Sequence, residues 1–379
     1  MGSIRRVTHP SGRRAWQARW RDPTGRQRSR NFTRRADAER HLTTVEARML
    51  TGDYIDPNLA NIGFADWLPQ AEATRLDRRP STRARDASVL HSLVLPNFGP
   101  MPLGSIQPLT IQRWLAELTD RGYAPATIRK AYQLLSRTLA AAVDAGLLHR
   151  SPCRGIHLPK TTNTEMRFLT PTEITRLAEA IGPRYRALLL TAAYTGARFG
   201  ELAALDRIHY QPARRTIHIE YTLAEVRGRL HHGEPKTRAA RRTLTLPPWL
   251  IDTLDTHLES WPPSDDGFIF TAPEGGPLRR AGFRTRHWKP AVRDSVGEPM
   301  RFHDLRHSHV ALLIQQGTHP AVIAARLGHT SVKTVLDVYG HLYEGLDRDA
   351  ADTLTPPWDP SHVDAMWTRP RRRGLGLER

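Results

Sequence analysis

Alternating and helical hydrophobic patterns follow one another within the first 55 residues. Polar and apolar residues alternate over 16–20, a turn motif follows at 23–25, and 27–32 can form a returning strand. Over 36–50, apolar residues recur every three or four positions, which predicts an amphipathic helix. These apolar positions are Ala38, Leu42, Val45 and Met49. Residues 1–55 are therefore predicted to form a small sheet packed on one helix.

Helical periodicity dominates residues 62–150, after a linker that is rich in turn-forming residues. Amphipathic helices are predicted to begin near Pro80, Thr110 and Ala126, and the last of them stops at Gly146. We expect about four short helices in this stretch. Any helical bundle has such a pattern, so it predicts a fold type and leaves the function open.

A third domain is predicted over residues 165–350, followed by a basic tail at 351–379. It begins at 170–173 with a capping box that has proline at the first helical position. An apolar helix is predicted over 184–198. Strand-like runs follow at 216–221, 224–229 and 242–246, and helices at 248–260, 282–292, 303–316, 320–326 and 331–338. The chain is thus expected to be multidomain and mainly α with small β-sheets, and its third domain mixed α/β but mostly helical.

A strong excess of basic residues narrows the function. The 379 residues include 56 Lys and Arg against 38 Asp and Glu, a formal net charge of +18. Eleven arginines and a single acid, Asp22, fall within residues 1–35. Such a charge favours a polyanionic partner, above all nucleic acid. A ribosome-associated or merely basic protein is the alternative for the whole chain, and a solvated basic surface is the alternative for its N-terminal residues.

Cysteine usage and hydropathy bear on other classes of protein. Cys153 is the only cysteine in the sequence, which excludes an intramolecular disulfide and a cysteine-based zinc site. No apolar run reaches membrane-spanning length, and the N-terminus lacks the apolar core of a signal peptide. We therefore expect a soluble, cytoplasmic protein with no membrane partner.

Two histidines and an arginine share one face of a predicted helix near the C-terminus. His303 and Arg306 are one helical turn apart, and His307 follows His303 at i+4. Arginine can bind two phosphate oxygens at once, and histidine can donate to a phosphate or accept a proton near neutral pH. The spacing alone does not rank the two histidines. A helix N-terminus capped by His303 and Asp304 is the structural alternative.

Arg198 and Lys236 are further candidate cations. Arg198 is predicted to end the apolar helix just past Gly196, where a charge needs a partner. Glu201 can be that partner in a purely structural pair. Lys236 is one of five lysines and lies in a predicted turn between two strand runs. There its ammonium can reach a leaving oxygen or simply be solvated.

A histidine and a tyrosine complete the set. His329 follows Gly328, which is predicted to cap the preceding helix. Tyr339 is a candidate nucleophile, and because a tyrosine hydroxyl has a pKa of about 10, it needs a base or surrounding positive charge. Tyr343 is its rival, and a buried structural role is the common alternative for either tyrosine.

In this order and on these elements, six residues closely resemble the catalytic set of the tyrosine recombinases, the phage integrase family. The six are Arg198, Lys236, His303, Arg306, His329 and Tyr339. The family pattern of tyrosine, one residue and histidine matches Tyr339–Gly340–His341 and does not match Tyr343. The resemblance implies a site-specific recombinase that integrates or excises phage or mobile-element DNA. It would cleave and rejoin strands through a 3′-phosphotyrosine, without metal, cofactor or ATP.

The resemblance also implies roles for the six residues. Tyr339 would attack the DNA phosphate, while Arg198, Arg306 and His329 would stabilise the transition state. His303 would assist removal of the tyrosine proton, and Lys236 would protonate the leaving 5′ oxygen. These roles come from the family and not from the spacing.

The family resemblance extends to domains and partners. Residues 1–55 resemble the module with which many phage integrases bind arm-type DNA sites, and 62–150 resemble the SAM-like core-binding domain. The catalytic domain would be 165–350. The implied partners are double-stranded DNA attachment sites and a homotetramer on two such sites. A directionality factor and a DNA-bending host protein are common further partners in the family.

Three other functions fit parts of the sequence. A type IB topoisomerase has similar chemistry but usually lacks an arginine-rich N-terminal sheet. A DNA-binding protein without catalysis has no need for Tyr339 at its spacing. A metallohydrolase would use His303, His307 and His309, although the sequence offers no convincing further ligand beyond Asp304.

Overall fold

The computed structural model divides the chain into two compact units, Met1–Asn163 and Thr164–Arg379. It describes residues 2–8, 13–23, 25–50, 54, 61–75, 78–160, 166–235, 237–343 and 351–352. Both units are mostly helical with small antiparallel sheets, so the predicted fold class is confirmed. None of the described helices is long and apolar enough to cross a bilayer.

The first unit begins with a three-stranded antiparallel sheet and one helix. The elements are β1 (Ser3–Thr8), β2 (Arg14–Arg21), β3 (Gln27–Phe32) and α1 (Arg35–Leu50), and β2 is the central strand. Ala18 and Trp20 of β2 pack against Ala38 and Leu42 of α1. The predicted helix face is confirmed. Strand β1 was not predicted, because its edge sequence has too few apolar residues to show a clear alternation.

A helical bundle makes up the rest of the first unit. Its helices are α2 (Phe64–Ala73), α3 (Pro80–Val89), α4 (Leu95–Phe98), α5 (Pro108–Asp120) and α6 (Pro125–Asp144), and a π-helical segment, Leu90–Val94, joins α3 to α4. Three of these helices begin with proline, whose fixed φ suits the first helical position. Ile128, Leu135 and Leu139 of α6 are fully buried, as their periodicity predicts.

The second unit surrounds small sheets with short helices. The helices are α7 (Pro171–Ala180), α8 (Pro183–Thr195), α9 (Phe199–Ala203), α10 (Pro248–Ser260), α11 (Arg280–Phe283), α12 (Lys289–Ser295), α13 (Asp304–Gln315), α14 (Pro320–Leu327) and α15 (Lys333–Tyr339). The strands are β4 (Tyr210–Gln211), β5 (Thr216–Ile219), β6 (Thr222–Val226), β7 (Arg229–Gly233) and β8 (Arg242–Thr245). The described strands pair as β4-β5-β8 and as a separate hairpin, β6-β7. The predicted capping box of α7 is confirmed.

Two predicted boundaries in this unit are wrong. The run 224–229 is not one strand, because Val226 pairs with Arg229 across a two-residue turn in which Arg227 and Gly228 both have positive φ. The helix predicted over 184–198 ends at Thr195, because Gly196 takes the left-handed conformation that closes a helix. Arg198 is therefore the N-cap of α9 and not the end of α8.

The C-terminal helices hold the last part of the candidate site. Helices α13, α14 and α15 share one apolar cluster, which includes Val310, Ile323, Leu327, Val335 and Tyr339. Each of these side chains is buried. The packing of this cluster fixes where α15, and hence its last residue, lies against α13.

Candidate active site

Arg306 lies at the centre of a group of polar side chains in the second unit. It stands in the first turn of α13 and is 4% exposed. Its guanidinium donates hydrogen bonds to the carbonyl oxygens of Gly196 and Leu327, each at 2.6 Å. Burial, and then the charge of Arg198, lowers the pKa of Arg306 to about 9, so the side chain is still protonated at neutral pH. Two helix ends therefore hold a buried positive charge in place.

Two glycines allow this close approach of the backbone. Gly196 follows α8 and Gly328 follows α14, each with a left-handed φ of 67°. A Cβ on Gly196 would lie 2.8 Å from side-chain atoms of both His309 and Leu327. A Cβ on Gly328 would lie 2.9 Å from the carbonyl oxygen of Ala239. The prediction that Gly328 caps its helix is confirmed, and both positions require glycine for conformation and for space.

Arg198 is held by Glu201. Its Nη1 donates to Oε1 of Glu201 at 2.7 Å, and its backbone N–H donates to Oε2 at 2.9 Å. The structural pair that the sequence left open is thus present. The Arg198 side chain nevertheless remains 39% exposed, whereas that of Glu201 is 3% exposed. One side of the guanidinium is therefore anchored while part of it can still meet a ligand.

Glu201 is in turn held by Arg242, which was not predicted. Arg242 stands at the start of β8 and donates from Nη2 to Oε2 of Glu201 at 2.9 Å. Its Nε donates to the carbonyl oxygen of Arg326 at 2.6 Å. Burial works to raise the pKa of Glu201, but the charges of Arg242 and Arg198 hold that pKa below its ordinary value. An ionised, buried carboxylate therefore anchors Arg198.

A second buried pair supports the same region. Arg326 donates from Nε to Nε2 of His309 at 3.1 Å and from Nη2 to two backbone carbonyls. Burial, and then the charge of Arg326, lowers the pKa of His309 to about 3. Its neutral ring is already the acceptor for Arg326 and does not join His303 and His307 as a ligand set. No group of three or more His, Cys, Asp or Glu residues could hold a metal ion among the residues described.

His329 lies directly beside Arg306. Nε2 of His329 is 3.0 Å from Nη2 of Arg306, and since arginine has no acceptor, this Nε2 accepts and the ring hydrogen is on Nδ1. Nδ1 is buried and has no hydrogen-bond partner within the described part of the chain. Burial, and then the charge of Arg306, lowers the pKa of His329 to about 4. A buried N–H without an acceptor beside a buried cation suits an anionic oxygen.

Tyr339 points its hydroxyl at a histidine. It is the last residue of α15, is 3% exposed, and its Oη lies 2.6 Å from Nδ1 of His307. Burial raises the pKa of Tyr339, while the charge of Arg306 acts in the opposite direction. The hydroxyl therefore needs a proton acceptor to become a nucleophile near neutral pH. The contact is with the histidine that the family resemblance did not select.

His303 occupies the N-cap of α13, where its side chain makes no capping hydrogen bond. Its ring packs edge-on against His307, with 5.2 Å between ring centroids. Burial lowers the pKa of His303 to about 4, and the charges of His307, Arg306 and Arg198 add to this effect. The alternative in which His303 and Asp304 both cap the helix is wrong for His303. Asp304, by contrast, does accept a hydrogen bond from the backbone N–H of Arg301 at 2.7 Å.

Two further candidates stand apart from this geometry. Tyr343 lies in a 3₁₀ turn, Gly340–Tyr343, directly after α15. Its hydroxyl is buried and has no hydrogen-bond partner among the described residues. Lys236 lies outside the described residues, so its role remains a prediction.

Five of the six predicted site residues are described, and they form one group. Together with His307, which contacts the tyrosine, they are called the histidine–arginine cluster: Arg198, His303, Arg306, His307, His329 and Tyr339. Direct contacts join neighbouring members, and the charge of Arg198 is near enough to lower the pKa values of His303, Arg306 and His329. The cluster combines two cations, neutral imidazoles and a phenol.

Two family models match the sequence. The model described as the phage integrase family matches residues 167–345, and the model described as the N-terminal SAM-like domain of phage integrases matches residues 65–119. The ICEBs1 integrase of Bacillus subtilis (strain 168) is 30% identical over 292 residues, which are 74% of this chain and 78% of that integrase. The chain belongs to the phage integrase family.

Other relatives extend the similarity along nearly the whole chain. The putative prophage phiRv2 integrase of Mycobacterium tuberculosis (strain CDC 1551 / Oshkosh) is 28% identical over 372 residues, 93% of this chain and 95% of the relative. The integrase of Mycobacterium phage D29 is 27% identical over 351 residues, 88% and 91% of the two chains. The predicted family is confirmed, and the protein is a site-specific tyrosine recombinase.

Solved structures of integrases have the same fold. The Tn1549 transposon integrase in complex with transposon right end DNA has a TM-score of 0.66 at 18% identity, over 77% of this chain and 98% of that one. A lambda integrase dimer bound to a COC′ core site has a TM-score of 0.56 at 19% identity, over 86% and 91% of the two chains. At these identities the likeness concerns the fold alone.

Proposed function

We propose that this integrase cleaves DNA by attack of Tyr339 on a phosphodiester bound at the histidine–arginine cluster. The observation that carries the proposal is the arrangement around the first turn of α13. There Arg306 contacts His329, and the next residue, His307, contacts the hydroxyl of Tyr339. The arginines would bind a phosphate placed between them and the phenol, and Tyr339 would attack the same phosphate.

The cations of the cluster suit a phosphate whose charge grows during the reaction. Arg306 is fixed by two carbonyl oxygens and Arg198 by Glu201, so neither would need to reorganise. Nδ1 of His329 is buried and has no hydrogen-bond partner among the described residues, so it can donate to a nonbridging oxygen when this edge of the ring opens to the phosphate. We assign to these three residues the stabilisation of the pentacoordinate transition state.

Proton transfer would involve the remaining members of the set. The proton of the Tyr339 hydroxyl must leave as its oxygen bonds to phosphorus, and the leaving 5′ oxygen must gain one. Lys236 is assigned as the acid for that oxygen on the family resemblance. His303 can donate to the phosphate or assist in removing the tyrosine proton, because it is packed against His307 and close to both arginines.

The N-terminal sheet offers a second surface for DNA. Arg5, Gln17 and Asn31 are in register across the three strands. Since side chains alternate along a strand, they share a face with Arg19, opposite the face that α1 covers with Ala18 and its neighbours. A polar, arginine-bearing sheet face can enter a DNA groove. We assign residues 1–55 to arm-type sites and residues 62–150 to the core site.

The assembly is proposed from the relatives. One lambda integrase structure is described as a tetramer bound to a Holliday junction, and the Tn1549 integrase structures contain transposon DNA. We propose that this chain acts as a homotetramer on two double-stranded attachment sites in the cytoplasm of its bacterial host. A directionality factor and a DNA-bending host protein complete the proposed partners.

A recombination assay tests this function. The full-length protein is incubated, with EDTA present, with a supercoiled plasmid that carries DNA from beside its own gene and a linear fragment that carries the second site. We expect strand exchange and Holliday junctions. Relaxation of any plasmid without exchange would favour a type IB topoisomerase, and tight binding without cleavage, also after addition of host extract, would favour a non-catalytic binder.

A further inference from the structure

We propose that His307 is a catalytic residue of this recombinase, the direct acceptor of the Tyr339 proton during cleavage and its donor during rejoining. The inference rests on the proposed function of Tyr339 and deepens it. The sequence spacing does not distinguish His303 from His307, whereas this proposal gives them different roles. His307 exchanges the proton of Tyr339, and His303 contacts the phosphate.

The contact between His307 and Tyr339 has the geometry of proton transfer. Nδ1 and Oη are 2.6 Å apart, at the short end of hydrogen bonds that involve a hydroxyl. No second hydrogen-bond partner of this hydroxyl lies within the described residues. By contrast, no hydrogen bond between His303 and Tyr339 is present in that part of the chain. In the tautomer with Nδ1 unprotonated, the phenol proton is therefore directed at His307.

The packing of both elements fixes this contact. His307 is half-buried in the second turn of α13, between Arg306 and the buried Ser308. Tyr339 is buried in the apolar cluster of α13, α14 and α15. Because neither ring stands on an exposed loop, the two atoms are preorganised, which is the condition for efficient general base catalysis.

The surroundings favour a neutral His307 that can accept a proton. Burial lowers its pKa, the nearby Asp304 acts to raise it, and Arg301 and Arg306 act to lower it. The ring of His303 faces it from the preceding turn and Tyr339 faces it from α15. With its hydrogen on Nε2, a neutral imidazole presents Nδ1 as the acceptor that the contact requires.

The proposed step balances its protons and bonds. The Oη–H proton of Tyr339 passes to Nδ1 of His307 as Oη bonds to phosphorus. The bond from phosphorus to the bridging 5′ oxygen breaks, and this oxygen takes a proton from the general acid assigned above, Lys236. In rejoining, a 5′ hydroxyl attacks phosphorus and gives its proton to Lys236, which lost one during cleavage. The bond from phosphorus to the tyrosine oxygen breaks, and the His307 imidazolium returns its proton to that oxygen. His307 should therefore affect both directions.

The test measures single-turnover cleavage of a nicked DNA substrate, with either an oxygen or a sulfur at the bridging 5′ position. A thiol leaves without help from an acid, so sulfur rescues variants that lack the acid but not variants that lack the base. The variants are His307→Asn and His307→Gln. The control is His287→Asn, because His287 also packs on a tyrosine, Tyr185, at 4.6 Å between centroids.

We expect both His307 variants to cleave about 100-fold or more slowly with either substrate, the usual contribution of a general base. The ratio of the wild-type cleavage rate to the variant rate should shrink about tenfold for each pH unit between about pH 7 and about pH 9. The reason is that hydroxide then removes the phenol proton in place of His307. His287→Asn should cleave at the wild-type rate. Melting curves show which variants are folded, and only folded variants are compared.

Three results would overturn the proposal. The first is a His307 variant that cleaves at the wild-type rate, and the second is a His307 variant whose cleavage rate is restored by sulfur at the bridging 5′ position. The third is a loss of rate that stays constant with pH, as expected if His307 has only a structural role. Failure of the proposed function itself looks different, because then wild-type protein forms no covalent adduct with either substrate.

Discussion

The side chain of Arg242 donates a hydrogen bond to the buried carboxylate of Glu201, with 2.9 Å between Nη2 and Oε2. The same carboxylate holds the guanidinium of Arg198. Through Glu201, which is 41 residues away in sequence, Arg242 thus supports the position of Arg198. Arg242 is not one of the six residues that resemble the family's catalytic set, yet through Glu201 it helps to position one of them, Arg198.

Replacing Arg242 by methionine should destabilise the second unit. The Glu201 charge would stay buried with one partner fewer, a loss of about 3 kcal/mol in the free energy of unfolding. Urea denaturation measures this loss, and cleavage should fall with it because Glu201, the anchor of Arg198, loses one of its own hydrogen bonds. Arg279→Met is the control, since Arg279 pairs with Glu225 at 3.5 Å in a half-exposed position and should cost less than about 1 kcal/mol. Equal losses in the two variants would contradict the account.

Gly328→Ala should be costly for two separable reasons. A left-handed φ costs an alanine about 1 kcal/mol, and its Cβ would also press on the carbonyl oxygen of Ala239 at 2.9 Å. We expect a loss of about 2–4 kcal/mol and slower cleavage, since His329 is the next residue. Gly317→Ala shares the left-handed φ of 69°, but its added Cβ would meet no atom of the described residues within 4 Å. Thermal melts give the loss of stability in each variant, and the difference between the two losses is the cost of the Cβ contact. If the two losses are equal, that contact costs nothing.

The buried His309 should make stability fall in acid. Its pKa is about 3 in the folded protein, against 6.5 for an ordinary histidine. Between these values the unfolded chain binds a proton that the folded chain does not, so stability is lost as pH falls below about 6.5, by about 1.4 kcal/mol per unit.

The variant His309→Gln tests this dependence, because glutamine can still accept from Arg326. The stability advantage of wild type over His309→Gln, measured by urea denaturation, should narrow as pH falls from about 7.5 to about 5.5. His231→Gln controls for loss of a histidine, since His231 is exposed on β7. A constant difference between wild type and His309→Gln would mean that His309 is not held neutral by burial.

The N-terminal sheet should contribute to DNA affinity through its polar face. Arg19→Ala should weaken binding to arm-type DNA and reduce the slope of log affinity against log salt by about 1, if the side chain contacts a phosphate. Arg40→Ala, on the exposed side of α1 and paired with Asp37, should leave both quantities unchanged. DNA titrations at several salt concentrations measure both quantities. If Arg19→Ala and Arg40→Ala have the same affinity and the same salt dependence, this face of the sheet does not contact DNA.

Features set by neighbouring residues could be predicted from the sequence. The buried face of α1, the capping box at Thr170 and the C-cap at Gly328 depend on contacts within a few positions, and all three are present. The hairpin turn at Arg227–Gly228 was missed, because an arginine with positive φ does not give the strong turn signal of Asn-Gly or Asp-Gly.

Contacts between distant segments could not be predicted in the same way. His303 and His307 share a helix face, so the choice between them depends on where α15 packs, which periodicity does not encode. The links from Arg242 to Glu201 and from Arg326 to His309 likewise join different elements. The family resemblance supplied the residues of the set, while the tertiary packing determines which of them touch.

The most direct test of the account is a covalent-capture experiment on nicked DNA from beside the gene, in EDTA. Wild-type protein, Tyr339→Phe and Tyr343→Phe are denatured after reaction, and the protein–DNA adduct is quantified. We predict an adduct with wild type and with Tyr343→Phe, and none with Tyr339→Phe. An adduct that persists in Tyr339→Phe and disappears in Tyr343→Phe would contradict the assignment of the nucleophile.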